Sequence, residues 1–146
     1  MRKSTFIILS FTWGLPLTLI GCIVAGVLFV AGYRPKRYGW CMCFEIGENW
    51  GGLELGLFFI TDKTSGERIK NHEHGHALQN CYFGVIMPFV ICIPSAIRYW
   101  YRKVIAAIKP SVELPPYDSI WFEAQATRWG TDFMNKHKQE GYKWLF

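Results

Sequence analysis

Residues 71–76 read Asn-His-Glu-His-Gly-His and contain the spacing His72-Glu73-x-x-His76. On a helix, residues four apart lie on one face, so both imidazoles can offer a ring nitrogen to a single ion, and zinc suits that donor pair. Glu73 sits about a quarter-turn round from His72, beside the metal rather than on it, where it can take a proton from an attacking water. Gly75 costs about 1 kcal/mol of helix propensity relative to Ala. Its missing side chain would let another backbone or a substrate strand come close. Asn71 or a nearby polar residue is the expected helix cap. Two other readings stay open: a polar helix start with solvated or capping histidines, or a strand on which His72, His74 and His76 share one face.

A catalytic zinc takes three protein ligands and keeps one position for water. The third ligand is expected on another element, and Glu123 has the fitting context, Ser119 to Gly130. On a helix it shares a face with Ala126, Thr127 and Gly130, a stripe small enough to pack closely on the histidine helix. Asp118 and Glu113 sit in or beside a proline-rich loop and are poorer candidates. An exposed or salt-bridged Glu123 is the competing reading. Tyr117, His137, Arg128 and His74 are the candidates to stabilise an oxyanion.

His72-Glu73-x-x-His76 followed by Glu123-x-x-Ala126 resembles the gluzincin-type zinc metallopeptidases, most nearly the membrane-embedded family of the CAAX prenyl-protein protease and the heat-shock membrane protease. Thr127 stands where that family has an acidic residue, and this chain is shorter with fewer spans. The resemblance implies a zinc-dependent endopeptidase with His72, His76 and Glu123 as ligands and Glu73 as general base. It also implies a cleft-lining substrate strand within Leu53 to Ile60, with Leu55, Leu57 and Phe59 as contacts.

These residues need elements to position them. Trp40–Phe44 and Leu53–Ile60 are rich in strand formers, and the turn chemistry of 47–52 between them predicts a hairpin. Asp118 and Ser119 offer caps for a helix running to about Gly130 or a little beyond. Upstream, Ser4 to Tyr33 holds no charged residue and exceeds the roughly 20 residues a helix needs to cross a bilayer. A retained transmembrane anchor over 1–33, bent near Gly14 and Pro16, is expected over a signal peptide, whose apolar core is shorter. Cys81 to Ile97 is interrupted by Pro88 and Pro94. It must be re-entrant, in-plane or buried, because a full crossing would part the histidines from Glu123. Arg98 to Ile108 mixes basic and apolar residues as an interfacial helix would, and the tail from Asn135 is polar and basic until Trp144-Leu145-Phe146.

Composition agrees with a membrane setting. The chain of 146 residues is 51% hydrophobic and 18% charged, with a net charge of +5. Its basic clusters (Arg2-Lys3; Arg34, Lys36, Arg37; Arg98, Arg102, Lys103) flank apolar segments and suit anionic headgroups rather than nucleic acid. Three basic residues after the first apolar run favour a cytoplasmic catalytic part. Cys41 and Cys43 would project from one strand face, for packing or as a thiol or metal pair. The expected fold is therefore α+β: a transmembrane helix in 1–33, then a small zincin-like domain in 34–146 with a β-hairpin, metal-binding helices and a re-entrant or buried segment at 81–97. The expected function is membrane-associated zinc-dependent peptide hydrolysis, with a peptide or protein substrate and a lipid bilayer as partners. The alternative is a non-catalytic membrane binding or assembly protein on the same fold.

Overall fold

The computed structural model describes residues 1–139, so the tail's Trp144-Leu145-Phe146 lies outside the described residues. The order of elements is α1 (Lys3–Phe11), α2 (Leu15–Val30), β1 (Lys36–Tyr38), β2 (Cys41–Glu45), β3 (Gly52–Leu55), β4 (Phe58–Thr61), α3 (Glu67–Phe83), α4 (Ile93–Ile108) and α5 (Trp121–Gln139). The architecture is α+β, with one four-stranded mixed sheet ordered β1-β2-β4-β3.

The sheet corrects the expected hairpin. The stretch 53–60 is two strands, because Gly56 turns the chain with φ +73 at the first position of a two-residue loop, the position where primed hairpin turns want positive φ. β3 and β4 pair antiparallel through that loop, while β2 runs parallel to β4. β4 is thus an internal strand, and β3 is left at the edge. Asp62 secures the crossover between β2 and β3: one carboxylate oxygen accepts the N–H groups of Trp50 and Gly51, and the other accepts the N–H and hydroxyl of Thr64.

Residues 1–33 bend where expected, near Gly14 and Pro16. The chain bends by 89° between α1 and α2, and among the described residues no single helix is long and apolar enough to cross a membrane. Pro16 in the first turn of α2 lacks an N–H to continue the preceding helix, which is why the break falls there. Phe6 is fully buried with Cys41, Cys43, Phe59, Ala77, Leu78 and Cys81, so α1 belongs to the core of the domain it was expected only to tether. Cys41 and Cys43 do share a face, and that face is this core; all five cysteines are free.

The second apolar run also breaks. Gly84 (φ +54) ends α3, a π-helical turn starts at Pro88, and the axis swings by 115° between Glu67–Ile86 and Pro88–Ile108. The two breaks meet: Trp13 Nε1 donates to the Tyr82 carbonyl at 3.2 Å, and a side chain on Gly84 would collide with the Trp13 ring.

α3 and α5 form the central helix pair. A Cβ on Gly75 would run into the Ala126 carbonyl, and one on Gly130 into the Asn71 carbonyl, so each glycine admits the other helix's backbone. α5 continues to Gln139, beyond the expected end near Gly130. Gly75→Ala tests this seam. Propensity alone favours Ala by about 1 kcal/mol, whereas overpacking against a backbone costs about 1–3 kcal/mol. The expected outcome is a lower denaturant midpoint.

Candidate metal centre

α3 starts at Glu67 behind Gly66, which supplies no side-chain cap. Asn71 is therefore inside the helix rather than capping it, and its Oδ1 accepts the Tyr38 hydroxyl at 2.7 Å. The helical turn settles the direction of the three histidines. His72 and His76 face α5 and the cleft, with Nε2 atoms 3.1 Å apart. His74 points the opposite way, fully buried between Phe6 and Phe133, where its Nε2 accepts the Trp40 N–H. The strand arrangement of three ligating histidines does not occur. Burial, with the charge of His137, lowers the His74 pKa to about 3, so that imidazole is neutral.

Glu123, fully buried, enters from α5. Its Oε2 lies 3.0 Å from His72 Nε2 and 3.2 Å from His76 Nε2. Three donors on two helices thus form a nearly equilateral triangle. Bonds of about 2.0–2.1 Å in a tetrahedron would space donors by roughly 3.3–3.4 Å, so a small relaxation fits zinc. Among the described residues Glu123 Oε1 is buried without a hydrogen-bond partner, a costly state that a cation would relieve.

The partners behind the ligands support this use. Gln79 Nε2 donates to the Phe122 carbonyl and to Gln125 Oε1, which leaves Gln79 Oε1 to accept from His76 Nδ1 at 2.7 Å. That bond places the proton on Nδ1 and turns the Nε2 lone pair toward Glu123 and His72. Thr127, one turn beyond Glu123, bonds His72 Nδ1 through its hydroxyl at 2.8 Å. Neither residue was singled out as a partner from the sequence, although both lie at helical spacing from a ligand: Gln79 three after His76, Thr127 four after Glu123. Among the described residues, His72, His76 and Glu123 are the only His/Cys/Asp/Glu group whose donors converge enough for a metal.

Electrostatics follows from burial and convergence. Burial raises the Glu73 pKa, the two histidines oppose it, and the net shift is upward, as suits a base that must take up a proton. Burial pulls His76 down, but the Glu123 hydrogen bond and the charges of Glu73, Glu123 and Glu54 outweigh it and lift its pKa to about 9. Glu123 is pushed up by burial and pulled further down by hydrogen bonds from both histidines, ending well below the usual carboxylate range.

The triad opens on a cleft of ≈ 1020 Å³, lined on one side by Gly52, Leu53 and Glu54 of β3 and on the other by Ser95, Ala96, Tyr99 and Trp100 of α4. Glu73 faces Gly52 so closely that any side chain at 52 would strike its carboxylate. Of the four oxyanion candidates, Tyr117 alone lines this cleft. Its hydroxyl meets Ser95 Oγ at 2.9 Å, and burial chiefly pushes its pKa up to about 12, so it keeps the proton it would donate. Arg128 is exposed and does not line the cleft. His137 stacks on Phe133 and uses Nδ1 on that residue's carbonyl. Asp118 pairs with Arg68 at 3.0 Å on the cleft lining, and Glu113 is exposed.

The expected substrate contacts need correction. Leu55 is on the edge strand but buried, Leu57 is in the loop after it, and Phe59 is on internal β4 with its ring in the core. A strand paired on both sides has no backbone edge to offer, so the available edge is Gly52–Leu55 of β3. No family model, curated protein or solved structure matches this chain.

The His76 shift carries a pH signature. A metal must displace the His76 proton below about pH 9, so zinc affinity should rise roughly tenfold per pH unit from about pH 7 and level off above 9. In the metal-free protein the same raised pKa contributes stability that is full below about 6.5 and is lost as pH climbs through about 9. Competition with a chromophoric chelator checks the first; affinity flat between pH 7 and 9 would contradict it. Gln79→Leu should weaken zinc binding by about 10–100-fold while leaving the three ligands in place.

Proposed function

We propose that this protein is a zinc-dependent peptidase that works at a lipid surface. The observation that carries the reading is the convergence of His72, His76 and Glu123 within 3.2 Å of one another, beside the buried carboxylate of Glu73. Bound there, zinc supplies Lewis acidity, polarising a carbonyl and making water at the site more acidic.

The chain's own residues supply the rest. A peptide adds to the open edge of β3, hydrogen-bonding backbone to backbone beside Gly52, whose missing side chain leaves room for Glu73 to reach the scissile bond. Glu73 takes the proton of the attacking water and passes it to the leaving amine, a role its raised proton affinity favours. Tyr117, steadied by Ser95, donates a hydrogen bond to the oxygen on which negative charge develops. Thr127 and Gln79 hold the imidazoles so that no reorientation is needed at the moment of reaction.

The lipid surface is inferred from an apolar exterior with none of the described residues over it. α4 has no buried residue, and Ile93, Ile97, Trp100, Val104 and Ile108 form an exposed stripe along one side of it. Phe89, Val85 and Ile86 extend the apolar exposure around the second break, and Ile20, Ile23 and Val27 expose the outer face of α2. Basic residues border these faces, as an anionic leaflet requires, and Arg34, Lys36 and Arg37 after α2 favour the cytoplasmic leaflet. Because α4 also walls the cleft, the site would lie next to the membrane and receive membrane-associated peptides.

Two experiments test the reading. Glu73→Gln should keep stoichiometric zinc and lose hydrolysis of casein or a quenched peptide by about 10²–10⁴-fold. A wild-type chain that holds zinc and cleaves nothing would instead be a binding or assembly protein. Ile97→Asp with Val104→Asp should release the protein from anionic vesicles in flotation, and unchanged flotation would remove α4 from the lipid contact.

A further inference from the structure

Glu54 is a buried carboxylate in the cleft that the mechanism above does not use. It is 6% exposed and lies on β3, the strand that offers the free edge. Strand residues alternate in direction, so Glu54 shares its face with Gly52, the residue pressed against Glu73. Two residues of strand carry it about 7 Å further along from that contact. The same cleft is also lined by the buried side chains of Met87 and Ile91. A carboxylate in such apolar surroundings is costly unless something compensates it. The only hydrogen bond it takes among the described residues comes from the Gly56 N–H to Oε1, across the turn that follows β3.

Resting on the peptidase reading, we propose that Glu54 anchors a primary ammonium group of the substrate, so that the cleft selects peptides presenting an amine one or two residues from the bond cleaved. The partner is a cation because burial lifts the Glu54 pKa to about 8, and a carboxylate that is only 6% exposed is held charged at neutral pH by a positive group beside it. An ammonium suits the geometry better than a guanidinium. Guanidinium binding uses both carboxylate oxygens in one plane, and Oε1 is already engaged by Gly56. The compact ammonium needs one oxygen. Its source is either a free N-terminus or a lysine side chain, and the chemistry of recognition is the same for both.

The test uses the full chain loaded with zinc and two matched peptide pairs. One pair differs in N-terminal acetylation, and the other replaces a lysine by norleucine next to the cleaved bond. In the wild type, removing the relevant amine should lower kcat/KM by about tenfold or more. Glu54→Gln keeps an acceptor for Gly56 and should erase that discrimination while still cleaving the neutral peptide. The pair that responds identifies the source. Binding of the same pairs, read by tryptophan fluorescence without turnover, should show the same ratio in the wild type and none in Glu54→Gln. Amine discrimination in binding with no cleavage of any peptide would retain the ammonium site and remove the peptidase reading. Wild-type protein that binds both members of each pair equally, or a folded Glu54→Gln that discriminates as the wild type does, overturns the proposal. Should Glu54→Gln fail to fold, the wild-type comparison still decides.

Discussion

The site exists because two helix backbones touch. α3 and α5 meet where Gly75 lies against the Ala126 carbonyl and Gly130 against the Asn71 carbonyl. Side chains at those positions would hold the helices apart, and Glu123 Oε2 would no longer lie within 3.2 Å of both imidazoles. The same seam carries Gln79 to the Phe122 carbonyl and Thr127 to His72. Packing and ligand orientation are one set of contacts. This is why a propensity-poor glycine is found in the middle of the helix that carries the histidines.

Burial gives the cluster its chemical character. Glu73, His76 and Glu123 are all nearly inaccessible, and their charged forms are stabilised by one another together with His72 and Glu54. In the absence of metal, the proton held at His76 partly balances the carboxylates around it. Proton and metal therefore compete for the same lone pair, which couples occupancy of the site to pH. His74, one helical step away, shows the opposite case: with no acid beside it, burial keeps it neutral.

The cleft joins this rigid half to a wall of different character. β3 is fixed by its ladder with β4 and by the Asp62 clamp, whereas α4 contributes no buried residue. α4 is tied across the cleft through Ser95 to Tyr117, through Arg98 to the 116–119 turn, and through Tyr99 to the Trp50 carbonyl. Anything that bears on the outer stripe of α4 thus bears on Tyr117. The breaks before α2 and before α4 pack on one another through Trp13 and Gly84, so the two bent apolar segments behave as one support.

The triad was legible from spacing, because a helix imposes a period of about 3.6 residues and makes His72 and His76 neighbours without help from the rest of the chain. The small stripe around Glu123 likewise announced a close helix contact. The α+β class and the break in the 81–97 run followed from local preferences of glycine, proline and strand formers. Other features had no local cause. The parallel pairing of β2 with β4, the edge position of β3 and the burial of Phe6 under the sheet depend on contacts between residues far apart in the chain. A period of two says which residues share a face but not which strand lies beside it, so Phe59 and Leu57 were legible as strand-rich residues and their places in core and loop were not. The apolar N-terminal run set hydrophobicity, length and, through Gly14 and Pro16, the place of the bend; that Phe6 then lies buried in the core of the domain was decided by what the run packs against.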